Sequence, residues 1–247
     1  TYCHFGPLAR SVDDAALFLS AAQGQDDRDL MSVPGRIDLP TNIPAEVEGL
    51  RVGLSADLGY YAVDPKLVAN LHAVADLLRA RGAIVEEVAV GLTREVNDIG
   101  YEHWNVYIAA FAAPLVEKWG DRMHPLILKA VEDGLKMDAV AFKKLEFARA
   151  RLWNQFRKVF DGHDVLLCPT MSIPAPRTGL SDLDFGTTDA EGRFHQYEMT
   201  FPFNVFSPCP AISVPSGFAD GLPTAAQIVG RPYQDLTVMK VAAAISE

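Results

Sequence analysis

Residues 65–80 place Val68, Leu71, Val74 and Leu78 on one face of a 3.6-residue period, after Asp64 and Pro65 as cap and first-turn residue and before Gly82 as a stop. This pattern predicts a helix. The flanking runs LRVGLS (50–55) and AIVEEVAV (83–90) are short and apolar, so the segment reads as strand, helix, strand, which favours a parallel pair joined by a right-handed crossover. An earlier helix is predicted over 11–23, with Ser11 as N-cap, Asp13 and Asp14 in the first turn and Gly24 as the stop. Residues 25–48, with Pro34, Pro40 and Pro44, carry no sustained period and predict a long surface connection.

The middle third has helical spacing throughout. Residues 93–119 predict helix interrupted at Gly100 and Pro114, and 124–134 and 138–160 predict two more, the last with Leu145, Ala148, Leu152, Phe156 and Val159 on one stripe. DVLLCPT (164–170) predicts a strand, and the polar, turn-rich residues 177–200 are long enough to predict a lid or binding loop. AISVP (211–215) and AAQIVG (225–230) predict two further strands. The Ser-Gly and Asp-Gly pairs between them form turns, but the separation predicts a compact loop and not a tight hairpin. An amphipathic helix closes the chain over 234–247. The fold class expected is α/β, a mixed β-sheet with helices on both faces.

Composition narrows the function classes. With 247 residues and 49% hydrophobic content the chain has ample material for a core, and no linker divides it. Its 32 acidic against 22 basic side chains give a net charge of -10, the wrong sign for a phosphate backbone or an anionic membrane, so neither nucleic acid nor membrane is an expected partner. No 18-residue apolar run and no signal-peptide pattern are present, and a cytoplasmic location is expected. Cys3, Cys168 and Cys209 have neither disulfide nor zinc-site spacing and predict reduced thiols.

The search for chemistry returns fragments. No G-x-S-x-G elbow, H-E-x-x-H pair or phosphate-binding glycine loop occurs, so no metal and no cofactor is expected. Ser216 in VPSGFADG imitates a nucleophile but reads as a turn serine, and His195 is the histidine placed where an acid-base group would be useful. Tyr101, Trp104 and Tyr107 lie within two helical turns, as pocket wall or, more commonly for such spacing, as core.

Three ordered blocks change this picture: HFGPLARSVDDAALFLSAAQGQDDRD, LLCPTMSIPAP and FPFNVFSPCPAISVPSGFADGLPTAAQIVGRPYQD. Together they resemble the amidase signature family over residues 4–247. Members of that family cleave or transfer amides with a serine nucleophile, a second serine in a cis peptide and a lysine base, all before the block that HFGPLAR resembles. The resemblance thus implies that residues 1–247 are the C-terminal portion of a single amidase domain, with no catalytic residue among them and no activity alone. It also implies a small-molecule amide as substrate, with a homo-oligomer possible. By the same resemblance Tyr197, Phe201 and Phe203 are candidates for substrate contact, the two phenylalanines being equally readable as core, and Arg149 is a candidate to face the pocket. Amidotransferase members hold the substrate amine with an acidic residue whose position falls at Tyr197, next to Glu198. That departure favours a general amidase over a member of an amidotransferase complex, and a non-catalytic binding or assembly module is the third reading.

Overall fold

The structure, a computed structural model, describes residues 4–246; Cys3 lies outside them. In chain order the elements are α1 (Val12–Ala22), β1 (Arg51–Leu54), α2 (Pro65–Ala80), β2 (Ile84–Glu87), α3 (Glu95–Trp119), α4 (Pro125–Lys136) and α5 (Ala139–Phe156). They continue with β3 (Val165–Pro169), β4 (Thr187–Thr188), β5 (Phe194–His195), α6 (Phe201–Val205), β6 (Ala211–Ala219), β7 (Leu222–Gly230) and α7 (Asp235–Ser246). The main sheet runs β2-β1-β3-β7-β6, and β4 and β5 form a small separate ribbon. β1 pairs in parallel with β2 and β3, while β7 is antiparallel to both β3 and β6, so the sheet is mixed as expected.

Strand alternation divides the core into two layers. Val52, Leu54, Val165, Leu167 and Ile228 pack with α1, α2 and α7 on one face. Leu166, Cys168 and Val229 pack with Phe156, Phe203 and Phe206 on the other. Both faces of β3 are therefore buried, which explains its unbroken apolar run. Burial pushes the Cys168 thiol up and that of Cys209 up to about 12, so both are protonated at neutral pH.

Local signals act as the sequence suggests at several element ends. Ser11 Oγ accepts from the Asp14 amide at 3.1 Å, and the Asp64 and Asp138 carboxylates cap α2 and α5. The connection 25–48 is irregular, yet Ile43 and Val47 reach the core and the Ile43 amide donates to Asp13 Oδ1 at 2.8 Å.

Four expectations require correction. α3 is one continuous helix of 25 residues. Gly100 does not break it, because a Cβ there would stand 2.5 Å from Phe201 Cε1: the glycine is a packing site. Pro114 is tolerated because it and Ala110, whose carbonyl loses its amide partner, both face outward where water serves. The closing strands form a tight hairpin after all, turning at Asp220-Gly221 with φ of 52° and 79°, the left-handed pair that a two-residue turn requires. β6 reaches that far because its register shifts between Pro215 and Gly217, which absorbs the interrupting residues in a bulge. Ser216 therefore sits in a strand bulge and not in a turn. Lastly α7 is buried on most of its circumference, from Val238 to Ala244, and so is a core helix and not a surface amphipathic one.

Candidate functional site

The helical layer of α3, α5 and α6 carries a groove of about 330 Å³, lined among others by Gly100, His103, Trp104, Tyr107, Phe142 and Phe201. Its construction begins with Gly100. With no side chain there, Phe201 lies against α3 and stacks on Tyr101 at 4.5 Å between ring centroids. Trp104 and Tyr107, about one and two turns further along α3, keep 39% and 58% of their surface exposed and face one another at 6.1 Å. The core reading of these two residues is thus overturned, since both keep a large part of their surface exposed.

Polar atoms enter from α3 and α5. His103 Nε2 is 3.5 Å from Glu146 Oε1, and burial holds the imidazole below its ordinary value and hence neutral at pH 7. Arg149 is not among the lining residues: beside Glu146, with an Nη 3.9 Å from Oε2, it reaches the end of α6, where Nε donates to the Val205 carbonyl at 2.7 Å and an Nη donates to Ser207 O at 3.2 Å. The arginine secures the helix that presents Phe201. Phe203 is a core residue, 4% exposed, with its ring 5.8 Å from that of Phe156, because α6 turns it inward as it turns Phe201 outward.

The loop that follows β3 is anchored and not a loose lid. Phe194 is buried beside Tyr60 and Tyr61, and the Arg94 guanidinium lies over its ring at 4.9 Å. Asn97 Nδ2 donates to Tyr61 Oη at 2.9 Å, and that hydroxyl donates to Glu198 O at 2.9 Å. Ser172 Oγ donates to Gln196 O, and Gln227 Nε2 donates to both Pro169 O and Met199 O. The carbonyls of 196, 198 and 199 are thus each held by a buried side chain on the scaffold.

Tyr197 belongs to this loop and does not line the groove. Its hydroxyl donates to Asp182 Oδ1 and its ring meets Phe185 edge-on at 4.9 Å. Gln196 links the two regions, since Nε2 donates to Tyr101 Oη at 2.6 Å while Oε1 accepts from the Tyr197 amide at 2.9 Å. Burial, and secondarily the Asp182 carboxylate, raise Glu198 above the usual carboxylate range. Burial pushes the Tyr101 phenol up to about 12.

His195 is exposed on the β4–β5 ribbon, with Nε2 2.9 Å from Asp189 Oδ2, in an ion cluster that includes Arg193. Ser216 Oγ is 3.0 Å from Thr224 Oγ1, in a hydroxyl and amide cluster completed by Asn70. Among the described residues no group of three or more metal-ligating side chains comes together, and no helix is long and apolar enough to cross a membrane.

Two outcomes follow from the anchoring. Gln227→Leu removes the donor to two buried carbonyls and is expected to cost about 1–3 kcal/mol for each one left unpaired. Urea unfolding reads the loss, and unchanged amide exchange across 196–200 would contradict the anchor. Glu198→Gln tests electrostatics. An acid raised in the native state binds its proton more tightly there, so native stability falls as pH climbs from the unfolded to the folded value. The glutamine variant lacks that fall, and its thermal midpoint should gain on the parent as pH rises from the unfolded carboxylate value through the higher folded one. A constant difference across that range would exclude the burial effect.

A family profile described as Amidase matches residues 1–239. A glutamyl-tRNA(Gln) amidotransferase component of Lactococcus lactis subsp. lactis (strain IL1403) is 28% identical over 268 residues, covering 97% of this chain and 53% of the relative. The corresponding glutamyl-tRNA(Gln) amidotransferase component of Brevibacillus brevis (strain 47 / JCM 6285 / NBRC 100599) is also 28% identical, covering 98% and 54%. The chain therefore spans about half the length of the curated relatives it matches. Among solved structures, a bacterial aryl acylamidase of the amidase signature family superposes with a TM-score of 0.84 at 24% identity, covering 98% of this chain and 52% of that one. A 6-aminohexanoate cyclic dimer hydrolase complexed with substrate gives 0.79 at 26%, covering 96% and 53%. With a mixed sheet of the same fold and a profile match over nearly its whole length, the chain belongs to the amidase family.

Proposed function

We propose that residues 1–247 are the C-terminal part of one amidase domain acting on the carbon-nitrogen bonds of small amides, and that this part supplies scaffold and substrate wall. The observation that carries the proposal is the match of nearly the whole chain to a length equal to about half of each relative. The resemblance assigns the serines and the lysine to a segment preceding HFGPLAR, so nucleophile, bridging hydroxyl and base act from that other part. The groove beside Phe201 and the anchored residues 196–199 form the wall facing it. Arg149 acts as a positioning residue through α6, and Phe203 supports from the core.

Several apolar side chains support a covering partner segment. Phe5, Leu8, Phe111 and Phe147 are 98%, 107%, 69% and 71% exposed and are open to such a segment. The test is complementation: the preceding half of the 6-aminohexanoate cyclic dimer hydrolase, produced with this chain, should yield amide hydrolysis that neither half gives separately. Hydrolysis by this chain alone would overturn the division of labour.

A second reading, membership of an amidotransferase, is favoured by the curated relatives and by one contact. By the resemblance the amine-holding acid falls at Tyr197, next to Glu198, and the Tyr197 hydroxyl donates to Asp182, so a carboxylate from another part of the loop reaches the outer end of that side chain. Ammonia transfer from glutamine, lost in Asp182→Asn, would select this reading over the general amidase.

A further inference from the structure

We propose that the groove between α3, α5 and α6 binds the ring of a neutral aryl amide, and that Trp104 and Tyr107 select this ring over aliphatic and carboxylate-bearing amides. This rests on the amidase reading and deepens it by naming a substrate class.

Size sets the first limit. A groove of about 330 Å³ is at the lower end of small-ligand sites, which run from roughly 300 to 1,000 Å³, and it takes one substituted ring but not a long polymeric group. The walls set the second. Trp104 and Tyr107 present large, partly exposed ring faces, tilted by 29° to one another, and an inserted ring gains stacked or edge contacts that an alkyl chain of equal area lacks. Phe201 gives the third wall and cannot swing into the groove, because it is stacked on Tyr101 and seated in the gap over Gly100.

Charge sets the third limit. Glu146 brings a carboxylate to the groove, the adjacent His103 is neutral, and the Arg149 guanidinium, 3.9 Å from Glu146, is engaged by the Val205 and Ser207 carbonyls. An anionic ligand therefore meets the Glu146 carboxylate, whose charge the 3.9 Å contact with Arg149 offsets in part, and finds no lysine or arginine among the described residues lining the groove. A neutral amide avoids that repulsion, and the imidazole of His103 and the carboxamide of Asn204 supply polar partners for its N–H and C=O.

Binding does not need the nucleophile, so the 247-residue chain itself is the test material. Acetanilide, hexanamide and glutamine are titrated by ligand-observed NMR. Acetanilide should saturate, hexanamide should bind at least about tenfold more weakly, and glutamine should not saturate. Trp104→Ala, at a partly exposed site, should weaken acetanilide by about tenfold while the circular dichroism spectrum stays that of the parent, whereas Phe218→Ala on β6 should leave binding as it is. Equal affinities for acetanilide and hexanamide, or indifference to Trp104→Ala, overturn the assignment. The two proposals fail separately: cleavage of aliphatic amides by the complemented enzyme without acetanilide binding removes only the aryl assignment. Acetanilide binding without any complementation removes the amidase reading and leaves a ligand site.

Discussion

Phe156→Ala is expected to remove about 3–5 kcal/mol of stability, a large share of the roughly 5–15 kcal/mol that holds a typical domain together. Phe156 is fully buried at the end of α5. Its ring stacks on Phe206 at 4.7 Å with 9° between planes, meets Phe160 edge-on at 5.4 Å and approaches Phe203 at 5.8 Å. The alanine loses both the transferred area and the ring contacts, and three rigid neighbours restrict how far the cavity can close. In urea the midpoint should fall at unchanged slope. A loss below about 1 kcal/mol would mean that the layer joining α5 to α6 is loosely packed, and with it the seat of Phe201.

The second large effect concerns rate. The chain alone should hydrolyse a panel of aryl and aliphatic amides about 10⁶-fold more slowly than the complemented enzyme, the scale on which removal of a nucleophile and base acts in serine hydrolases. Covalent catalysis needs a hydroxyl within reach of a base and a donor site for the oxyanion. Several hydroxyls are engaged elsewhere: Ser216 meets Thr224, Ser172 donates to Gln196 O, and Thr170 meets Ser213. Lys66 is likewise paired, with the Asp220 carboxylate at 2.6 Å, and that hydrogen bond raises its value, the opposite of what a base requires. Turnover by the chain that disappears in Ser216→Ala would show this assignment of roles to be wrong.

Much of the fold was legible because its signals are local. The Asp64-Pro65 start and the spacing to Leu78 define α2, and two apolar runs around it define the parallel pair β1 and β2. What misled were residues whose meaning depends on distant neighbours. Gly100 and Pro114 carry the sequence marks of helix ends, but one receives Phe201 and the other faces water. Gly134 is similar: a Cβ there would lie 2.2 Å from the Asn105 carbonyl oxygen, so α4 touches α3 through this glycine, and no periodicity marks such a contact.

Of the candidate site, Tyr101, Trp104 and Tyr107 were marked by their helical spacing, and the other residues were legible only through the family blocks, unevenly. Phe201 and Phe203 were indistinguishable in sequence because both are apolar residues in a short segment whose helical turn sends one outward and one inward. Gln227 could have been found, as a polar residue inside the apolar run AAQIVG implies a buried partner. Asp182 could not, since its contact with Tyr197 closes across an irregular loop.

Serine labelling of the protein tests the central claim most directly. Treated with a fluorophosphonate and mapped by mass spectrometry, the chain alone should carry no label, and the complemented enzyme should carry one label, on a serine of the added half. Stoichiometric labelling of any serine within residues 1–247 would place an activated nucleophile in the part assigned here to scaffold and substrate wall, and would contradict the account.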